Sequence, residues 1–222
     1  FMTSRYCLPD HYLVLEGSAT SASNLEWFLT QFFGPEVAAS NEGGENVYSL
    51  INRMVADTSA DEAGPIFLPF LYGSHGESDA SACLVGLRDR HSRAQVVRAV
   101  YEGVVFAHKV HWERLQRTGA APQQIRASGG AARSDVWMQM VADVFQMPVA
   151  VSNGSELGAL GAAICGSVAV GCHADYQTAC DSMVQFSRHF QPRAEFAEPY
   201  QRKFNRTLAF LQAMEGAWSG IT

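Results

Sequence analysis

Much that would assign this chain quickly is missing from it. No apolar run among its 222 residues approaches the ~20 that a membrane helix requires. Charge is sparse as well: 17% of residues are Asp, Glu, Lys or Arg, the net charge is −6, and the 16 lysines and arginines are scattered. A basic stripe for nucleic acid is therefore absent. The five cysteines are odd in number and none belongs to a C-x-x-C pair. That excludes a disulfide framework and leaves Cys172-His173 with Cys180 as ordinary packing or surface residues, not a zinc clamp. There is no Gly-Lys-Ser/Thr phosphate loop. In SGGAARS (128–134) an alanine stands where G-x-G-x-x-G needs its next glycine, and no acidic residue follows at the expected distance, which disfavours an NAD-dependent enzyme. Repeats, low-complexity tracts and a recognisable signal segment are lacking too. The expectation is a cytoplasmic protein with no nucleic-acid or membrane partner and no bound metal of its own.

What is present fits one compact α/β domain spanning 1–222, since 47% hydrophobic residues and this length suffice for a sizeable core. The chain opens at Phe1 with FMTSRYCLPD, which suggests that it was cut from something longer. The most informative stretch is 125–165. Ile125 to Ala127 reads as a strand running into Gly129-Gly130. Val136, Trp137, Met140, Val141 and Val144 recur at helical spacing, with Ser134 and Asp135 placed to cap that helix. Pro148 stops it, Val149 to Val151 form a second strand, and Asn153-Gly154 turns into a small-residue helix, ELGALGAA. In this helix Gly158, Gly161, Ala162 and Ala163 are expected to allow close approach to the sheet. Two glycines before a helix N-terminus can pass close beneath a phosphate or ribose. By itself, such a pair is more often a plain turn than a ligand site.

The remaining chain supplies further elements. HYLVLEG (11–17) is a strand that leads through a Ser/Ala-rich turn into an amphipathic helix from about Asn24, ended by Gly34-Pro35. Residues 36–64 read as a surface excursion with a helix around Val47 to Val55 and no evident chemistry. Ile66 to Leu71 and Ala82 to Leu87 are strands. Between them, His75, Glu77 and Asp79 sit in a hydrophilic loop with no assigned role. Ser92 caps a long helix reaching about Arg117, on which Arg98 and Glu102 are spaced for a surface pair. His108 and His111 lack a third metal ligand. A last helix runs from about Tyr200, and nothing after Gly216 looks committed to structure.

Several segments together resemble the FGGY family of carbohydrate kinases. SGGAARSDVWMQMVADVFQMPV followed by ELGALGAA is similar to the family's adenosine-binding segment. LEGSATSASNLEWFL, GPIFLPFLYGSHG and GLRDRHSRAQVVRAVYEGVVFAH resemble three others, all from the family's C-terminal domain. The wording SATSASNLEWF is nearest to the pentulose kinases of the L-xylulose type. The resemblance implies the ribonuclease-H-like α/β fold of the actin/Hsp70/hexokinase ATPases, with ATP and Mg²⁺ as cofactors and a small sugar as substrate. It also implies a nucleotide site at Gly129, Gly130, Ala131 and Ser134, joined by Ala22 and Glu26 where the family has a glycine and a glutamine. The family's G-x-G-D segment, which carries the catalytic aspartate, and its Gly-Thr-Gly/Ser turn are not found. No catalytic residue is therefore assigned, and the chain is expected to be inactive without an N-terminal sugar-binding domain. A non-catalytic nucleotide-binding or scaffold module of the same fold is the alternative. The sequence leaves the sugar and the oligomeric state open, a homodimer included.

Overall fold

A computed structural model describes residues 2–17, 21–74, 80–119, 121–154 and 156–220. The loop of His75, Glu77 and Asp79, and Ser18 to Thr20 of the Ser/Ala-rich turn, lie outside the described residues.

An antiparallel hairpin opens the chain, β1 (Met2–Arg5) with β2 (Tyr12–Leu15), Met2 facing Leu15 and Arg5 facing Tyr12. Helices α1 (Ser23–Phe32), α2 (Gly34–Asn41) and α3 (Val47–Ala56) follow. Gly34-Pro35 does not simply end α1 but starts α2. Proline is well placed in a first helical turn, where its missing N–H is one the helix leaves unpaired anyway. A short antiparallel pair, β3 (Ile66–Leu68) and β4 (Cys83–Val85), precedes the long helix α4 (Arg93–Gln116). Ser92 and Gln95 cap α4 reciprocally, each side chain bonding the other's backbone N–H.

Next come β5 (Ile125–Ala127), a 3-10 turn at Ala131–Arg133, α5 (Asp135–Phe145) and β6 (Val149–Ser152). Helices α6 (Leu157–Ala169) and α7 (Tyr176–Met183), strand β7 (Phe186–Phe190) and helix α8 (Ala197–Met214) complete the order. Strand β6 is central in its sheet, parallel to β5 and antiparallel to β7. A β-strand, turn, helix and parallel β-strand make the expected βαβ unit over 125–152.

Helix α4 is the axle of the core. Val97, Val100, Tyr101, Val104 and Val105 are buried on it, against Ile51 and Val55 of α3, Trp137 and Met140 of α5, and Phe204 of α8. Each such large side chain removed from water contributes about 1.5–3 kcal/mol. Gly103 lets α4 cross β3 closely, since a Cβ there would fall 2.2 Å from the Phe67 carbonyl oxygen. Trp218 is buried with Leu68 and Ala80, so the chain beyond Gly216 packs back onto the fold, contrary to the sequence reading.

Two further expectations change. Arg98 and Glu102 do pair, but inside the protein, where Lys203 of α8 joins them. Helix α6 does not use its small residues for close packing. Gly158, Gly161, Ala162 and Ala163 are exposed, and a Cβ on either glycine would meet nothing within 4 Å.

Candidate functional site

Three helices begin around one cleft of about 530 Å³. Ala22 and Glu26 come from the start of α1, Asn46, Tyr48, Ser49 and Asn52 from α3, and Ser134 and Trp137 from α5. Gly130, Ala131 and Arg133 of the 3-10 turn close one side, and Tyr101 of α4 forms part of the lining. Five of the six residues singled out in the sequence therefore share this cleft: Ala22, Glu26, Gly130, Ala131 and Ser134. Gly129, the sixth, adjoins it in sequence and shapes the turn with φ +88°. A Cβ on Gly129 or Gly130 would meet nothing within 4 Å, so the space above both is open.

The local sequence explains the arrangement. Asn46 is extended and caps α3, its Oδ1 accepting the N–H groups of Tyr48 and Ser49 at 2.9 and 3.3 Å. Ser134 caps α5 in the same manner, its Oγ accepting Trp137 N–H at 3.1 Å. The 3-10 turn is tied by N–H groups of Ala132, Arg133 and Ser134 reaching the carbonyls of Gly129, Gly130 and Ala131. Asp135, just beyond the cap, is exposed and pairs with Arg188 of β7, which also donates to the Ala132 carbonyl. That bond fixes the turn to the sheet.

Behind these residues lies a hydrogen-bonded wall. Ser134 donates to Asn52 Oδ1 at 2.6 Å, and Tyr101 donates to the same oxygen at 2.9 Å. The rings of Tyr101 and Trp137 stack with centroids 4.3 Å apart, and Trp137 Nε1 donates to the Tyr101 carbonyl at 3.3 Å. Burial pushes the Tyr101 hydroxyl well above the ordinary tyrosine range, so it remains a donor.

Electrostatically, the cleft favours an anion. The first turns of three helices of 10, 10 and 11 residues line it, and each positive dipole end stabilises a nearby negative charge by roughly 0.3–1 kcal/mol. Arg133 adds a full charge. Glu26 is the acidic lining residue among those described, and no group of three His, Cys, Asp or Glu side chains among the described residues could hold a metal. The helix starts and Arg133 suit an anionic group, with Glu26 opposing them.

Sequence reasoning missed Asn46, Tyr48, Asn52 and Tyr101. The segment carrying the first three was read as an excursion without chemistry. Its signal was there in the spacing: Val47, Ile51 and Val55 make the buried stripe, which turns Tyr48, Ser49 and Asn52 together onto an adjoining polar face.

The fold is that of the actin/hexokinase-like ATPases. A xylulose kinase from Rhodospirillum rubrum superposes with a TM-score of 0.77 and 28% identity, over 89% of this chain and 39% of that one. The model of the FGGY family of carbohydrate kinases, C-terminal domain, matches residues 3–170. The chain belongs to that family. Among curated relatives, the L-xylulose/3-keto-L-gulonate kinase of Escherichia coli K12 is 33% identical over 216 residues, covering 97% of this chain and 41% of the relative. A gluconokinase of Bacillus licheniformis is 28% identical, over 97% of this chain and 43% of the relative. The chain thus spans about two-fifths of the length of the relatives it matches. Among the described residues, no helix is long and apolar enough to cross a membrane.

Proposed function

We propose that residues 1–222 act as the nucleotide-binding half of a carbohydrate kinase that transfers the γ-phosphoryl group of ATP to a hydroxyl of a pentulose or related sugar. The observation that carries this reading is the convergence of three helix starts and Arg133 on a cleft walled by stacked Tyr101 and Trp137. In it, the open backbone at Gly130 and Ala131 would run beneath the ribose and α-phosphate. Ser134 and Asn52 would meet the base. The likeness to an L-xylulose kinase supports a pentulose as substrate.

Bound ATP would supply the phosphoryl group, and magnesium would be carried on its phosphate oxygens, because no carboxylate pair lines the cleft among the described residues. The side chains seen here bind and orient. They provide no group placed to take the sugar's proton, which in phosphoryl transfer falls to a carboxylate. That group and the sugar site would belong to sequence of the kind the relatives carry outside the matched region. Glu26 is the one carboxylate among the described lining residues, and this sustains a second reading, a nucleotide-binding module without phosphotransfer.

The test is calorimetric titration of Mg-ATP into the chain and into Gly130→Val, with NADH as control. Valine suits the backbone at Gly130 (φ −60°, ψ −45°) and would project into open space. Saturable ATP binding, weakened at least tenfold by Gly130→Val without loss of fold, is the expected result. Equal ATP binding by both proteins would place the nucleotide elsewhere.

A further inference from the structure

Asn52 lines the cleft, and two hydroxyls hold one end of its amide. Ser134 Oγ already accepts Trp137 N–H at 3.1 Å, so its own proton is free for Asn52 Oδ1 at 2.6 Å. The Tyr101 hydroxyl donates to the same Oδ1 at 2.9 Å. The structure sets the amide with its oxygen toward both hydroxyls. The Nδ2 group therefore points away from this pair, and it makes no hydrogen bond within the described residues and is not sealed from solvent. On a residue that lines the cleft, this is a held donor beside the flat rings of Tyr101 and Trp137.

A side chain needed only to tie α3 to α5 would be satisfied by its oxygen alone. We propose that Asn52 reads the base: its Nδ2 donates a hydrogen bond to an unprotonated ring nitrogen of adenine. The inference rests on the nucleotide reading above and adds a specificity-determining residue to it. Adenine offers three such nitrogens, N1, N3 and N7. A donor locked in place discriminates more sharply than a mobile one, because a base without the matching acceptor leaves it unpaired in a confined site.

Asn52→Asp separates reading from scaffolding. It keeps an oxygen for Ser134 and Tyr101 and removes the donor, and its added negative charge weakens ATP and the deaza analogues alike, so the lost discrimination among them is the readout that reports on base reading. Calorimetry would compare ATP with its 1-deaza, 3-deaza and 7-deaza analogues in the parent chain and in Asn52→Asp. The parent is expected to bind one analogue about tenfold more weakly than ATP, the scale of one lost hydrogen bond. Asn52→Asp should bind ATP about tenfold more weakly and no longer distinguish that analogue from ATP. Two results would overturn the proposal: a parent that holds all three analogues as tightly as ATP, or an Asn52→Asp protein that matches the parent on ATP. If Asn52→Asp fails to fold, Asn52→Ala takes its place in the same analogue series. ATP binding that is sensitive to Gly130→Val yet indifferent to Asn52→Asp removes only the base-reading role. No ATP binding by the parent removes the nucleotide reading as well.

Discussion

Neutralising Glu102 should be among the most damaging single changes to this chain. Glu102 is 5% exposed and Arg98 8%. One carboxylate oxygen receives both Arg98 Nε at 2.7 Å and Lys203 Nζ at 2.8 Å. The rest of the Arg98 guanidinium bonds the Val55 and Thr58 carbonyls at 3.3 and 3.0 Å and the Tyr200 hydroxyl at 2.7 Å. The cluster thus clamps the end of α3 and the start of α8 onto α4. In Glu102→Gln, Arg98 and the largely enclosed Lys203 lose the counter-charge they share among the described residues. Breaking a buried pair costs roughly 3–5 kcal/mol, which at about 2–4 °C per kcal/mol for a chain of this size is a fall of about 6–20 °C in Tm. Lys203→Met tests the logic from the other side. Burial holds the Lys203 ammonium below the ordinary lysine range, with Glu102 opposing that shift. Removing it leaves a balanced Arg98–Glu102 pair and a side chain of similar length, so a change within about 1 kcal/mol is expected. Urea and thermal unfolding of the two variants would measure both. A Glu102→Gln protein within about 1 kcal/mol of the parent, or a Lys203→Met protein equally damaged, would refute the reasoning.

Gly129→Ala should cost about 1–2 kcal/mol, because φ is +88° while the surrounding space is open, so the loss is backbone strain alone. Its neighbour gives the contrast: Gly130→Ala, at φ −60°, should be neutral or stabilise by about 0.4–1 kcal/mol. Equal unfolding midpoints for the two alanine variants would show that the turn is not held as described. Acid should loosen the hairpin's tether to α4. His111 first, and Arg114 second, hold the Glu16 carboxyl at about 2 against its usual 4.5, with both contacts at 3.0 Å. Between these values the unfolded chain binds more protons than the native one. The stabilisation is therefore complete above pH 4.5 and is lost as pH falls through about 2. Glu16→Gln should flatten that part of the stability profile, and an unchanged slope would count against the tether.

The parts of this fold that were legible in the sequence are those in which local signals agree. Residues 125–152 alternate between a strand period and a helical one, with Ser134 at the boundary, and the structure returns β5, α5 and β6 with Ser134 as the cap. Harder to read was anything decided by which face of an element another element covers. The spacing of Arg98 and Glu102 showed that they could touch. It could not show that α3 and α8 would enclose them, nor that Lys203, about a hundred residues on, would share the carboxylate. Helix α6 fails in the opposite sense: its glycines and alanines suit close packing, and the described residues leave those positions uncovered.

Asn52 combines both difficulties. As a polar residue on a half-buried helix in a segment rich in surface signals, it carried no local mark of importance. Its role depends on Ser134, 82 positions away, and on Tyr101, 49 positions away, which hold its oxygen and leave its nitrogen without a partner among the described residues. The glycine turn was visible because backbone conformation leaves a trace in residue type. Base recognition leaves no such trace, since any asparagine can donate and only the fold decides which one is held still.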